Sequence, residues 1–271
     1  MAAEGKIDPM HQFTVEPIVP LQIGGYDVSF TNSAAWMLAT LIIIAAFMWG
    51  GMRRQVVPGR WQMAVEGLTG FIDNMVHVNI GPQGKKYTPY IFSLFTFILV
   101  SNLLGLMPLA ILAPIIPGFH PFTSTSHFSV TGVLAVLSFS IVLIVGFWKH
   151  GLHFFSLFIP RGTPIVMMPL IFIIEFISFM VRPFSLGLRL FVAMIAGHIL
   201  MEVFGSFIIS AGDTFASAPA SGSGVMGLLA AAISFLFIAG VAALELLVAA
   251  IQAYVFALLT TLYLNDAENL H

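Results

Sequence analysis

The chain has 271 residues, of which 59% are hydrophobic and only 8% charged, with a mean hydropathy of +1.00 and a formal net charge of −2. Globular domains are about a quarter charged, so this composition marks an all-α integral membrane protein with no room for a soluble catalytic domain. The small net charge gives nucleic acid nothing to hold, and zero cysteines exclude disulfides, thiolate metal sites and cysteine nucleophiles.

Residues 1–31 read as an N-terminal external segment. Met1 to Gln22 is polar and Pro-containing and lacks the basic-then-apolar pattern of a secretory signal, so the first span is expected to direct insertion. Residues 32–271 read as a single membrane domain of five transmembrane helices plus one amphipathic helix on the membrane surface. A span needs about 20 apolar residues, and the first runs from about Asn32 to Gly51, with Trp36 and Trp49 as interfacial anchors. Its exit is marked by Arg53, Arg54 and Arg60. From about 61 to 79, Trp61, Val65, Leu68, Ile72, Met75 and Val76 recur at helical spacing among Glu66, Asp73, Asn74 and His77, the pattern of a surface helix. After the Gly81–Gly84 turn and Lys85-Lys86 come a second span, about Tyr90 to Ala113, and a third, about Ser129 to Trp148.

Beyond Lys149 and Arg161 lies an apolar stretch of about 164–210, interrupted by Pro169 and the Arg182-Pro183 pair. The segment Gly212 to Gly224 reads as a loop, and about 225–264 is again roughly twice the length of one crossing. Two long, steeply tilted helices are implied. With five spans, Arg53, Arg54, Arg60, Lys85, Lys86, Lys149 and Arg161 share one side and only Lys6 the other. The positive-inside rule then puts the N-terminus outside and the tail Asn265 to His271 in the cytoplasm. No fixed-period repeat is visible, which weakens a transporter built on inverted repeats.

Inside the two long stretches stand Glu175, Arg182, Arg189, His198, Glu202 and Glu245. A cation near a bilayer centre costs roughly 2.5–3.5 kcal/mol on insertion scales and persists where a bundle interior, water or a partner anion receives it. Glu175, Arg182 and Arg189 are spaced by seven residues and share one helix face over about 21 Å. His198 points roughly opposite and forms an i,i+4 pair with Glu202; Glu245 and Gln252 share a face of the last helix. Carboxylates and imidazoles take and release protons, whereas a guanidinium does not. Arg189 would therefore block and attract rather than relay, so a proton could cross only by riding on a moving acid.

The runs Ser185-Leu-Gly-Leu-Arg-Leu-Phe191 and Ala196-Gly-His198, with Leu244-Glu245 and Ile251-Gln-Ala-Tyr-Val-Phe256, resemble subunit a of the F-type ATP synthase. Ser101-Asn-Leu-Leu-Gly-Leu-Met-Pro108 and Thr125-Ser-His127 extend the resemblance over nearly the whole chain after about residue 30. It implies a non-catalytic stator, with no cofactor, beside a rotating ring of c subunits. Peripheral-stalk b-type subunits, the lipid bilayer and transported H+ complete its partners, with no nucleic acid and no direct nucleotide binding. Arg189 then faces the ring carboxylate, Glu245, His198 and Gln252 match the half-channel from the outer aqueous side, Glu175 and Ser178 match positions toward the inner side, and Glu202 is a further proton-translocation candidate. The resemblance implies a bacterial inner membrane, with a mitochondrial inner membrane as the alternative. In many bacterial relatives an acid stands at the position of His198 and a histidine at that of Glu245; this chain carries the exchanged pair, as mitochondrial and related bacterial members do. The family commonly has Asn four residues after the arginine, where this chain has Ala193.

Plainer readings stand beside these. Arg189 can snorkel or join a salt bridge, and Arg182 can satisfy carbonyls freed by Pro183. Glu245, His198 and Gln252 can be packing partners of other polar groups, Glu175 and Glu202 can be solvated near an interface, and Ser178 and Ser185 can simply let helices approach. A self-contained ion channel or proton-coupled secondary transporter is the alternative function. An intramembrane hydrolase with a metal on Glu175, His198 and Glu202 is a third reading, and no His-Glu-x-x-His spacing supports it.

Overall fold

A computed structural model describes residues 15, 17–20, 22–23, 26–27, 29–52, 57–107, 123–159, 165–217 and 222–269. Lys6, Arg53, Arg54, Pro108 and Arg161 lie outside the described residues. Two short antiparallel ladders, β1 (Pro17–Val19) with β4 (Phe30–Thr31) and β2 (Gln22–Ile23) with β3 (Tyr26–Asp27), lead into the first helix. The described residues are otherwise nearly all helical, and among them five helices are long and apolar enough to cross a membrane.

α1 (Asn32–Gly51) begins where the Thr31 hydroxyl accepts from the Ala34 N–H at 3.4 Å. It meets α2 (Arg60–Ile80) at a tight corner: the Trp61 indole donates to the Phe47 carbonyl at 2.9 Å, and a Cβ on Gly51 would strike Val65. On α2, Val65, Ile72, Met75, Val76 and Ile80 are buried and Leu68 packs on the core, while Trp61 stays exposed. The apolar stripe therefore packs on protein. α3 (Thr88–Leu106) starts two residues earlier than its hydropathy suggests, with Pro89 in the first turn, where its missing N–H costs nothing. α4 (Phe128–His150) follows a one-turn helix at Ser124–Ser126.

α5 (Met168–Ser217) and α6 (Gly222–Glu268) run for 50 and 47 residues and pack against each other as an antiparallel hairpin. At 1.5 Å per residue each is about 70–75 Å long, more than twice the hydrocarbon thickness. Pro183 lies inside α5 without ending it, as one long helix over about 164–210 requires, since neighbouring helices can satisfy the freed backbone groups. One expectation is corrected here: the loop and the tail are shorter, because 212–217 and 222–224 are helical and α6 continues past Leu264 to Glu268. Ala249, Ala253 and Ala257, four residues apart and each fully buried, let α6 approach its neighbours closely.

The end of α6 is tied down. Glu268 is 2% exposed and accepts Lys86 Nζ at 3.0 Å, Lys149 Nζ at 2.7 Å and the Tyr87 hydroxyl at 2.7 Å, so one carboxylate joins the start of α3 to the end of α4. The bond to Glu268 holds the Lys86 ammonium above its ordinary pKa. Arg182 pairs with Asp266 at 3.0 Å and lies over the Phe179 and Tyr263 rings. Lys85, Lys86, Lys149, Arg182 and the end of α6 thus gather at one end of the bundle. Glu268→Ala is expected to destabilise the protein by about 1–2 kcal/mol. The lysine side chains, 55% and 39% exposed, recover much of their solvation, while the half-buried Tyr87 recovers less. The check is the thermal inactivation midpoint in detergent, expected to fall by about 2–4 °C.

Candidate functional site

Leu186, Leu190, Met194 and His198 recur every fourth residue on α5, and all four are buried, so this stripe faces the bundle. Arg189 lies off that stripe and is exposed, as are Phe184, Ser185 and Val192 around it. Among the described residues, no hydrogen bond or ion pair forms through the Arg189 side chain. A heptad earlier Arg182 turns instead to Asp266. The two arginines of one helix face thus have different surroundings: one is neutralised inside the hairpin, the other is presented outward from its middle.

On the bundle side, the His198 ring Nε2 lies 3.0 Å from the hydroxyl of Thr123, both residues being buried. Glu245 of α6 is 4% exposed, and neither carboxylate oxygen has a hydrogen-bond partner among the described residues. Its Oε1 lies where a Cβ of Gly197 would be, so α5 and α6 are in contact one residue before His198. Gln252, two turns beyond Glu245 on the same face, is half-buried. Behind Glu245, the Asn102 amide of α3 donates to the Ala249 carbonyl at 3.2 Å, while its own Oδ1 and the nearby Ser101 hydroxyl are buried without partners among the described residues. A carboxyl group with unpartnered oxygens, an imidazole and uncommitted hydroxyl and amide oxygens are groups that can hold or pass a proton.

The remaining expected residues are distributed differently. Glu175 and Glu202 are half-buried and Ser178 is exposed. Glu175, His198 and Glu202 do not form a metal site, since no group of three His, Asp or Glu side chains that could hold a metal ion occurs among the described residues. Ala193 is half-buried. The sequence alone gives no role to Thr123, Gly105, Asp266 or Glu268. Asn102 sits inside a span and within a motif already noted; its polarity at that depth was the available signal. Thr123 offered none, because its partner is 75 positions away.

Comparison with known proteins adds a second line. The family model described as ATP synthase A chain matches residues 34–265. The chain is 62% identical over 275 residues to ATP synthase subunit a of Erythrobacter litoralis, with 100% of each chain covered. It is 63% identical over 272 residues to ATP synthase subunit a of Novosphingobium aromaticivorans, covering 99% of this chain and 100% of the relative. With ATP synthase subunit a of Rhodospirillum rubrum it shares 43% identity over 264 residues, 97% of this chain and 99% of the other.

Proposed function

The chain belongs to the ATP synthase A chain family, and from that premise we propose that it is the proton-conducting stator subunit of a bacterial F-type ATP synthase. It acts beside a rotating ring of small subunits that each carry a membrane-embedded carboxyl group. The observation that carries this reading is Arg189, exposed on the outward side of α5 in the middle of an apolar helix and without a side-chain partner among the described residues. A guanidinium in that position suits an anionic partner supplied by another chain, and the desolvation cost of leaving it without one is several kcal/mol.

In the proposed cycle a proton reaches the ring from the outer side past Gln252, Glu245 and His198, with Glu202 on the same helix face as His198. It neutralises a ring carboxylate, which can then enter lipid. After a turn of the ring the acid meets the other half-channel near Glu175 and Ser178, loses its proton and is drawn to Arg189. The permanent positive charge of Arg189 repels protons between the half-channels and so prevents a short circuit. Each charge moved through 100 mV yields about 2.3 kcal/mol, so ATP synthesis requires many transfers, as a multi-site ring provides. The stator is non-catalytic and binds no nucleotide: no Gly-x-x-x-x-Gly-Lys-Ser/Thr loop occurs in the sequence. Steep tilt of α5 and α6, the N-terminus outside, the C-terminus cytoplasmic, and attachment to peripheral-stalk subunits belong to the same proposal. α2 is placed along the cytoplasmic membrane surface.

The test is isolation from native membranes in mild detergent. The chain is expected to co-purify with a small, hairpin-forming, acid-bearing proteolipid. Isolation as a homogeneous, proton-conducting protein without one would overturn the stator reading in favour of a self-contained channel.

A further inference from the structure

We propose that Thr123 is a positioning residue for His198, its hydroxyl fixing the imidazole within the proton path, and that Gly105 is small in order to seat it; this rests on the function proposed above. The backbone at Thr123 is held by its own turn, its carbonyl accepting the Ser126 hydroxyl at 2.6 Å and the Ser126 N–H at 3.1 Å. The side chain is held from the other side, because a Cβ on Gly105 would collide with the Thr123 Oγ1, Cγ2 and Cβ atoms. Thr123 is only 8% exposed and its hydroxyl lies 3.0 Å from His198 Nε2. A hydroxyl in a buried site costs free energy unless bonded, so the pair is mutually stabilising and claims one ring nitrogen of a residue with only two.

These contacts close a circuit around the candidate path. Thr123 rests on Gly105 of α3; Asn102, in the preceding turn of α3, bonds the Ala249 carbonyl of α6; Glu245, one turn back on α6, lies against Gly197 of α5; and His198 returns to Thr123. Fixing the ring at Thr123 therefore fixes it relative to the turn of α5 that packs on Glu245. Ser101, one turn from Gly105 and with a buried hydroxyl that has no partner among the described residues, lies on the α3 face that meets this turn.

The experiment uses inverted membrane vesicles carrying the complete complex. ATP-driven pumping and passive proton conduction are measured alongside ATP hydrolysis and the amount of assembled subunit. Thr123→Val, which keeps the volume and removes the hydroxyl, is expected to slow pumping and conduction about fivefold with assembly unchanged, coupled ATP hydrolysis slowing with them. Thr123→Ser is expected to restore them. In a His198→Ala background Thr123→Val is expected to have no further effect, since its role is exercised through His198. Normal transport in Thr123→Val, a defect in Thr123→Ser equal to that in Thr123→Val, or additive losses in the double variant would each overturn the proposal. If Thr123→Val fails to accumulate, Gly105→Ala decides: a comparable loss supports the seating and normal pumping refutes it. Normal pumping by Thr123→Val while Arg189→Ala abolishes it would sink this inference alone; normal pumping by Arg189→Ala would sink the function reading beneath it.

Discussion

Replacing Arg189 with Ala is expected to abolish ATP-driven proton pumping while the complex still assembles and hydrolyses ATP. The expectation follows from where the side chain is and from what it does not do. Arg189 is exposed and has no side-chain hydrogen bond or ion pair among the described residues, so its removal leaves no carboxylate of this chain unpaired and opens no hole in the core. A structural arginine would behave otherwise: truncating Arg182 strands Asp266 at 3.0 Å and uncovers the Phe179 and Tyr263 rings, so Arg182→Ala is expected to act through stability. The two arginines therefore form a matched pair for one assay series. Pumping is read by quenching of a pH-sensitive dye, and assembly by the amount of subunit retained in washed membranes. Loss of pumping with full assembly in Arg189→Ala assigns an electrostatic barrier; coupled pumping at normal rates would mean that Arg189 is ornamental to transport. Arg189→Lys keeps a positive charge but loses the planar fork and delocalisation, and is expected to pump far less than the parent.

The parts of this molecule legible in its sequence are those set by local pattern. The first span is bounded as expected because Asn32 to Gly51 carries no charge and lies between polar flanks. The opposed directions of Arg189 and His198 on α5 follow from helical spacing alone, one residue being exposed and the other buried. The last two helices were visible as stretches too long for one crossing, but their ends were not. Gly, Ser and Ala around 212–217 and 222–224 suggest a loop by composition, yet packing of one long helix on the other carries the helical backbone through them, as at Gly227, where a Cβ would meet the Ala211 carbonyl. The polar tail after Leu264 looked like a free terminus because the partners of Asp266 and Glu268 are far away in sequence: Arg182 is 84 residues distant from the one, Lys149 119 and Lys86 182 from the other. Long-range ion pairs leave no periodic trace. The same limit hid Thr123, whose neighbours in sequence are hydroxyl residues suited to any turn.

Gly197 is the position where the smallest substitution is expected to have the largest consequence. The carboxylate of Glu245 occupies the space a Cβ at residue 197 would need, with Oε1, Cδ and Cγ all too close to coexist with a methyl group. Glu245 is 4% exposed and makes no hydrogen bond through either oxygen among the described residues, so none of them holds the carboxylate in place when a methyl pushes on it. Relief must come from rotating the Glu245 side chain or separating α5 from α6, and overpacking of this kind costs about 1–3 kcal/mol. Either movement displaces the carboxyl group proposed to carry protons from the turn that bears His198. Gly197→Ala is therefore expected to slow pumping about tenfold or more in assembled complexes, the rate equivalent of about 1.4 kcal/mol. Gly205→Ala is the internal control, on the same helix and with no atom within 4 Å of its would-be Cβ; helix propensity favours alanine there, and pumping near the parental rate is expected. The pair separates two explanations of a glycine in a membrane helix. If both variants pump alike, Gly197 serves general helix packing and the contact with Glu245 is incidental. If only Gly197→Ala fails, and Glu245→Asp, which withdraws the carboxylate by one methylene, recovers part of the lost transport in that background, then the glycine is there to leave room for the acid.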